Sequence, residues 1–325
     1  MKRRELLLAA TLGTLTRALP AQTTDWPSRP IRVIYPFPPG GAIEAMIRAV
    51  TTRMSRELGQ QLIVENRTGA GGTIGSALGA KAAPDGYNLV ISGLPTHVIE
   101  PVYSGTPYDP MRDFTHIGLL GGTPVVLAVH PDLGPKTVQE FIALARSRPD
   151  GISYASAGSG TSVHLFGERF RQLTGSKLVH VPYKGLIPAA LDLIAGHIPA
   201  AFTTVGQARE FYLQGKIRIL AVATPTRMAL HPELPTFVEA GYKDLVSSAW
   251  FAISGPAGMP KPIVTRLNAQ IRAALAQPEI FNKLQADGIG IEPRDLDADG
   301  FTDYFRAEIE RWTPVVRSVK SSEVK

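Results

Sequence analysis

The stretch Ile31-Arg32-Val33-Ile34-Tyr35-Pro36-Phe37-Pro38-Pro39-Gly40-Gly41-Ala42-Ile43-Glu44 decides how the rest of this 325-residue chain is read. Its first five residues are rich in β-branched side chains and predict a strand. Its end opens a helix, because Ile43, Met46, Ile47, Val50, Met54 and Leu58 recur every three or four positions, as one helical face requires. Three prolines and two glycines between them hold the chain out of regular structure. A helix entered this way presents unpaired N–H groups and a positive dipole end, which together predict an anion site.

Working outward, the same plan repeats. Strands are expected at 61–65 and 87–92, with a small-residue helix at 75–82 between them. Strands at 117–120 and 125–129 flank Gly121-Gly122-Thr123-Pro124, read as a break where the chain leaves a first domain. Thr137 and Glu140 form a capping box for a helix at 138–146. A strand at 152–155 leads through Ser156-Ala157-Gly158-Ser159-Gly160-Thr161 into a helix with Val163, Phe166, Phe170 and Leu173 on one face. Further strands are expected at 178–181, 200–203 and 217–223, with helices at 187–195 and 207–213. A strand at 248–254 returns the chain to the first domain, and 260–276 and 299–319 are helical. The alternation predicts an α/β protein of two domains, each a mainly parallel sheet flanked by helices. The expected division is 22–123 plus 252–325 against 124–251.

Residues 1–21 read as a cleavable signal peptide. Lys2-Arg3-Arg4 is a basic start, 6–15 a short apolar run, and Ala18-Leu19-Pro20-Ala21 a small-residue cleavage site. The apolar run is too short to span a bilayer, and the paired arginines fit either the general secretory or the twin-arginine route. Its loss removes four basic residues and Glu5, so the formal charge falls from +6 to +3. The remaining basic residues are dispersed, which argues against nucleic acid. A periplasmic protein is expected. The absence of cysteine excludes disulfides, thiolate metal sites and a cysteine nucleophile.

Catalytic and cofactor signatures fail one by one. There is no G-x-x-x-x-G-K-[ST]. Gly69-Ala70-Gly71-Gly72 places Ile74 where a third dinucleotide-binding glycine belongs. No serine sits in G-x-S-x-G, and the seven histidines lack metal-ligand spacing. No catalytic residue, metal or cofactor is therefore assigned.

What remains is a set of polar loops, each following a strand and opening a helix, which parallel sheets bring to one crevice. Pro39-Gly40-Gly41-Ala42 offers backbone donors, and Glu44 occupies the first helical turn. Thr96 and His97 offer a hydroxyl and an imidazole. Ser156, Gly158, Gly160 and Thr161 offer hydroxyls at a second helix start, and Tyr183 and Lys184 a phenol and a cation. Donors outnumber acceptors, which suits a carboxylate ligand. Two other readings use the same residues: an exported serine hydrolase employing Ser156 or Ser159 with His164, and a sensory protein that presents its ligand to a membrane kinase.

Several segments resemble the exported receptors of tripartite tricarboxylate transporters, the Bug receptors. They are Pro36-Phe37-Pro38-Pro39-Gly40-Gly41, Val64-Glu65-Asn66-Arg67-Thr68-Gly69-Ala70-Gly71-Gly72, Tyr154-Ala155-Ser156-Ala157-Gly158-Ser159-Gly160-Thr161 with His164, and Val181-Pro182-Tyr183-Lys184-Gly185. The strand around Ala249-Trp250-Phe251 with Pro256-Ala257-Gly258 also fits. The resemblance implies a two-domain type II periplasmic-binding fold, a Venus flytrap that closes on a small carboxylated solute. It implies no enzyme activity and a membrane permease as partner; a monomer is expected. Loops 38–44 and 156–161 would hold the ligand carboxylate through backbone amides and bridging waters, with contacts at Phe37, Gly41, Ala42 and Thr96. Ser156, Gly160, Thr161, Tyr183, Lys184 and Thr204 complete the implied set. The chain departs from the family pattern at Glu44, where Asp is usual, at Ile43, and at Leu94-Pro95. These changes make one pocket wall more apolar and bulkier.

Overall fold

The computed structural model describes residues 26–290 and 295–323. The signal-peptide assignment at 1–21 lies outside the described residues. Ile31–Tyr35 forms β1, with only Arg32 less than fully buried. Gly41–Leu58 forms α1, whose Met46, Ile47, Val50, Met54 and Leu58 sink into the first core as the spacing requires. Gly59 ends α1 in the left-handed conformation, φ 70°, that a glycine adopts at low cost. β2 (Leu62–Asn66), α2 (Thr73–Ala80) and β3 (Asn88–Gly93) follow, and β1 pairs in parallel with both β2 and β3. Leu94–Ile99 then makes a π-helical turn into α3 (Glu100–Tyr103).

The expected break at Gly121-Gly122-Thr123-Pro124 does not form. Phe114–Val129 is one sixteen-residue strand, β4, running through it. The glycines sit in the strand because its partner approaches too closely for a side chain. A Cβ on Gly122 would stand 2.6 Å from Trp250 Cα and closer still to Ser248 Oγ. Pro124 marks the change of partner, where a missing N–H is tolerated. It is the last residue of β4 paired with the returning strand, and Val125 is the first paired with β7 of the second half.

The second half contains α4 (Val138–Ser147), β5 (Ile152–Ser156), α5 (Ser162–Thr174), β6 (Leu178–Pro182), α6 (Leu186–Ile194), β7 (Ala200–Thr204), α7 (Val205–Leu213) and β8 (Arg218–Val222). β9 (Ser248–Pro256) returns to the first half, followed by α8 (Lys261–Leu275), α9 (Pro278–Ala286) and α10 (Ala298–Glu323). The strand order is β2-β1-β3-β9-β4-β7-β5-β6, with β8 also on β4. Each half is evenly mixed rather than mainly parallel. β1 and β5 make the parallel pairs, whereas β4 and β9 cross directly and pair antiparallel.

β4 and β9 carry the chain between halves, and α10 ties both. Its first turns stack Phe305 on His116 of β4 at 3.8 Å between ring centroids. Its end reaches α5, where Gln172 Nε2 donates to Ser318 Oγ at 2.9 Å. Between them Trp250 of β9 is buried and donates through Nε1 to Glu308 Oε2 at 2.9 Å. Full burial of such side chains contributes about 1.5–3 kcal/mol each.

Candidate functional site

The starts of α1 and α5, from opposite halves, open on one cavity of about 490 Å³. At α1, Gly40 takes φ 109° and ψ 170°, which favours glycine. Its N–H is bound by Glu44 Oε2, and Glu44 Oε1 accepts from Arg48 Nε at 2.8 Å. The Gly40 N–H, with Arg48 after it, holds the buried Glu44 carboxyl below its ordinary range against the opposing effect of burial. Asn66 Nδ2 donates to Phe37 O at 3.0 Å and ties the loop to β2. Beyond Gly40, the first-turn N–H groups of Ala42 and Ile43 have no helical acceptor, and both residues line the cavity.

At α5 the loop closes on itself in the same way. Ser156 Oγ accepts from Gly158 N at 3.1 Å and shares a 2.7 Å hydrogen bond with His180 Nε2. Thr161 caps α5, accepting from His164 N at 3.4 Å and donating to Gly158 O at 2.7 Å. Gly160 N donates to His164 Nδ1 at 3.1 Å, and the His164 ring stacks on His180 at 3.9 Å. Burial pushes His164 down to about 4, with Glu168 pulling weakly the other way. The open donors are again one step into the helix, at Ser162 and Val163, which line the cavity.

Several expected site residues do come together. Phe37, Ala42, Gly160, Thr161 and Thr204 line the cavity, and the Thr204 side chain makes no cap bond. Pro39 precedes Gly40 in the α1 entry loop and is not part of the lining, and Gly41 is the first residue of α1. Others are placed elsewhere, each for a physical reason. Gly40 and Gly158 spend their N–H groups inside their own loops, and Glu44 is the internal acceptor rather than a ligand contact. Thr96 is buried behind Gly72, with Oγ1 on His97 Nδ1 at 2.8 Å. His97 lies in the core against Tyr108, Phe114 and Phe305, and burial holds it well below its ordinary value. Ser156 is fully buried on His180. Tyr183 turns to Asp192 Oδ2 at 2.7 Å, and Lys184 is exposed outside the cavity. For the hydrolase reading, the hydroxyl of Ser156 is bound to His180 rather than His164, His164 Nδ1 accepts from Gly160 N–H, and Ser159 lines the cavity.

Sequence reasoning missed the rest of the wall. Ser162 and Val163 follow the Thr161 cap, so capping logic could have found them. Ile43 and Pro95, noted above as departures from the family, both line the cavity, as does Phe251, set edge-on to Phe37 at 6.0 Å. Asp287 and Ile289 arrive through a bridge in which Gly122 and Gly290 exchange two 2.8 Å hydrogen bonds. That long-range contact has no local signature. No Lys, Arg or His lines the cavity among the described residues. A second cavity, of about 510 Å³, lies between α8 and α9 and is lined by Leu119, Ile271, Leu275 and Phe281.

Comparison with known proteins agrees with this layout. Residues 46–320 match the model of the tripartite tricarboxylate transporter family receptor. The chain is similar to Protein BugT of Bordetella pertussis, 34% identical over 94% of each chain. Among solved structures it is similar to Rpa4515 of R. palustris with adipate, at 33% identity and TM-score 0.80, covering 91% of this chain and 98% of that one. It is also similar to MatC of Rhodopseudomonas palustris with bound malate, at 31% identity and TM-score 0.77, covering 90% and 100%. These relatives are periplasmic solute-binding receptors, and the shared architecture is theirs. On this match and these relatives, the chain belongs to the tripartite tricarboxylate transporter receptor family, as a solute-binding receptor and not an enzyme.

Proposed function

We propose that the chain is an exported, monomeric receptor that holds the carboxylate of a small solute between two domains and delivers it to a membrane permease. The domains are 22–123 with 252–325, and 124–251, after removal of 1–21. They close about the β4 and β9 crossings near Pro124 and Ser248. One observation carries the reading: the N-termini of α1 and α5, from opposite halves, open on the same largely apolar cavity. Four first-turn amides and two dipole ends suit one carboxylate, and each such charge-assisted bond is about twice as strong as a neutral one. The adipate and malate held by relatives support the ligand class.

Thermal-shift screening tests it. A bound carboxylate at a hundredfold excess over Kd should stabilise the protein by about 2.7 kcal/mol. Stabilisation by neutral sugars or cations, with none from carboxylates, would overturn the reading.

A further inference from the structure

The cavity is not electrically neutral beyond the clamp. Glu100, the first residue of α3, lines it. Its carboxylate lies against Gly71, another lining residue: a Cβ placed on Gly71 would stand 2.6 Å from Glu100 Oε1. Among the described residues, the Glu100 carboxylate has no hydrogen-bond or ion-pair partner. The other acidic lining residue, Asp287, is already paired, its Oδ2 3.0 Å from Lys283 Nζ. The remaining wall is aliphatic and aromatic, with Ile43, Pro95, Leu186 and Phe251 prominent, and neutral side chains such as Thr123 and Gln207.

We propose that this cleft selects a monocarboxylate with an apolar body, and that Glu100 is the residue that sets this preference. The inference rests on the reading of the cleft as a carboxylate clamp. Once one carboxylate occupies the two helix starts, a second on the same solute enters an apolar space that, among the described residues, holds an unpaired carboxylate and no cation. Desolvation and like charge both oppose it. Specificity of this kind comes from the unpaired charge presented to the wrong ligand. The same carboxylate accepts from a hydroxyl or ammonium at the far end of the right one, a charge-assisted bond. The ligand chemistry is therefore one carboxylate, a chain or ring body, and a distal hydrogen-bond donor.

Calorimetric titration of matched series decides it. One series is hexanoate, 6-hydroxyhexanoate, 6-aminohexanoate and adipate; the other is benzoate, 4-hydroxybenzoate and terephthalate, with hexanol and phenol as carboxylate-free controls. Each is titrated into the wild type and Glu100→Gln, which keeps the side-chain shape. In the wild type the best monocarboxylate of the series that binds should exceed its dicarboxylate at least tenfold in affinity. Glu100→Gln should narrow that gap at least fivefold, chiefly by strengthening the dicarboxylate. A wild type that prefers the dicarboxylate, or a gap unchanged in Glu100→Gln, overturns the role of Glu100 while leaving the carboxylate clamp standing. Binding of only the carboxylate-free controls, or of no compound in either series, removes the clamp itself and the inference with it.

Discussion

Ser162→Pro isolates one donor of the clamp. Ser162 is the first residue of α5, where the missing N–H and fixed φ of proline are tolerated. Thr161 before it already has φ −74° and ψ 157°, the extended form that a residue preceding proline requires. The helix cap survives, since it uses His164 N on Thr161 Oγ1 and Leu165 N on Thr161 O. The substitution therefore deletes one amide from the cavity wall and little else. A hydrogen bond to a charged group contributes about 1.5–3 kcal/mol, so affinity for the tightest carboxylate should fall about 10- to 100-fold. Folding stability should change by less than about 1 kcal/mol. Calorimetric titration reads the first quantity and urea denaturation the second. Ser162→Ala, which keeps the N–H, should bind within about threefold of the wild type. A folded Ser162→Pro protein with unchanged affinity would refute the placement of the carboxylate at α5.

Three further outcomes follow from the same geometry. His164 is held neutral by burial at a value of about 4, so its stabilising contribution is complete above the ordinary value near 6.5 and is lost as pH falls from there toward 4. The full loss is about 3 kcal/mol for one such group, and buried His116 and His97 add to it in the same direction. Protonated Nδ1 cannot accept from Gly160 N–H, so ligand affinity should weaken as pH falls through about 4, where the folded-state imidazole takes up its proton, beyond the ligand's own titration. His164→Asn, whose Oδ1 still accepts, should show only the ligand's own titration; an equal pH slope in both proteins would count against the loop assignment. Glu44→Ala frees Gly40 N–H and Arg48, and should cost about 1–2 kcal/mol in urea denaturation. Its carboxyl sits below its ordinary value, so this contribution is present at neutral pH and is lost as acid protonates it. Full stability in Glu44→Ala would show that the contact carries none. Gly122→Ala places a Cβ into Ser248 and Trp250 where β4 and β9 cross, and should cost more than about 2 kcal/mol by the same assay.

Much of the fold was legible because local pattern and tertiary role agree. The α1 stripe from Met46 to Leu58 is buried as its spacing requires, and Thr137 accepts from Glu140 N at 3.1 Å as a cap should. The reciprocal arm of that box goes one residue further back, from Lys136 N to Glu140 Oε2. β4 was misread because glycine and proline carry two meanings. They usually mark turns, yet here they permit close approach and a change of partner within one strand. At the site, the loops were found but the donors were displaced. Gly40 and Gly160 spend their N–H groups on Glu44 and His164, leaving the next residues to face the cavity. Glu100 was invisible locally, because only the packing of α3 against Gly71 brings its carboxylate to the cleft.

The most direct test of the central claim is a crystal structure with the tightest-binding carboxylate bound. The account predicts carboxylate oxygens about 2.7–3.2 Å from backbone nitrogens at both helix starts, Ala42 or Ile43 on one side and Ser162 or Val163 on the other. A carboxylate held by one half alone, or seated outside this cavity, would contradict it.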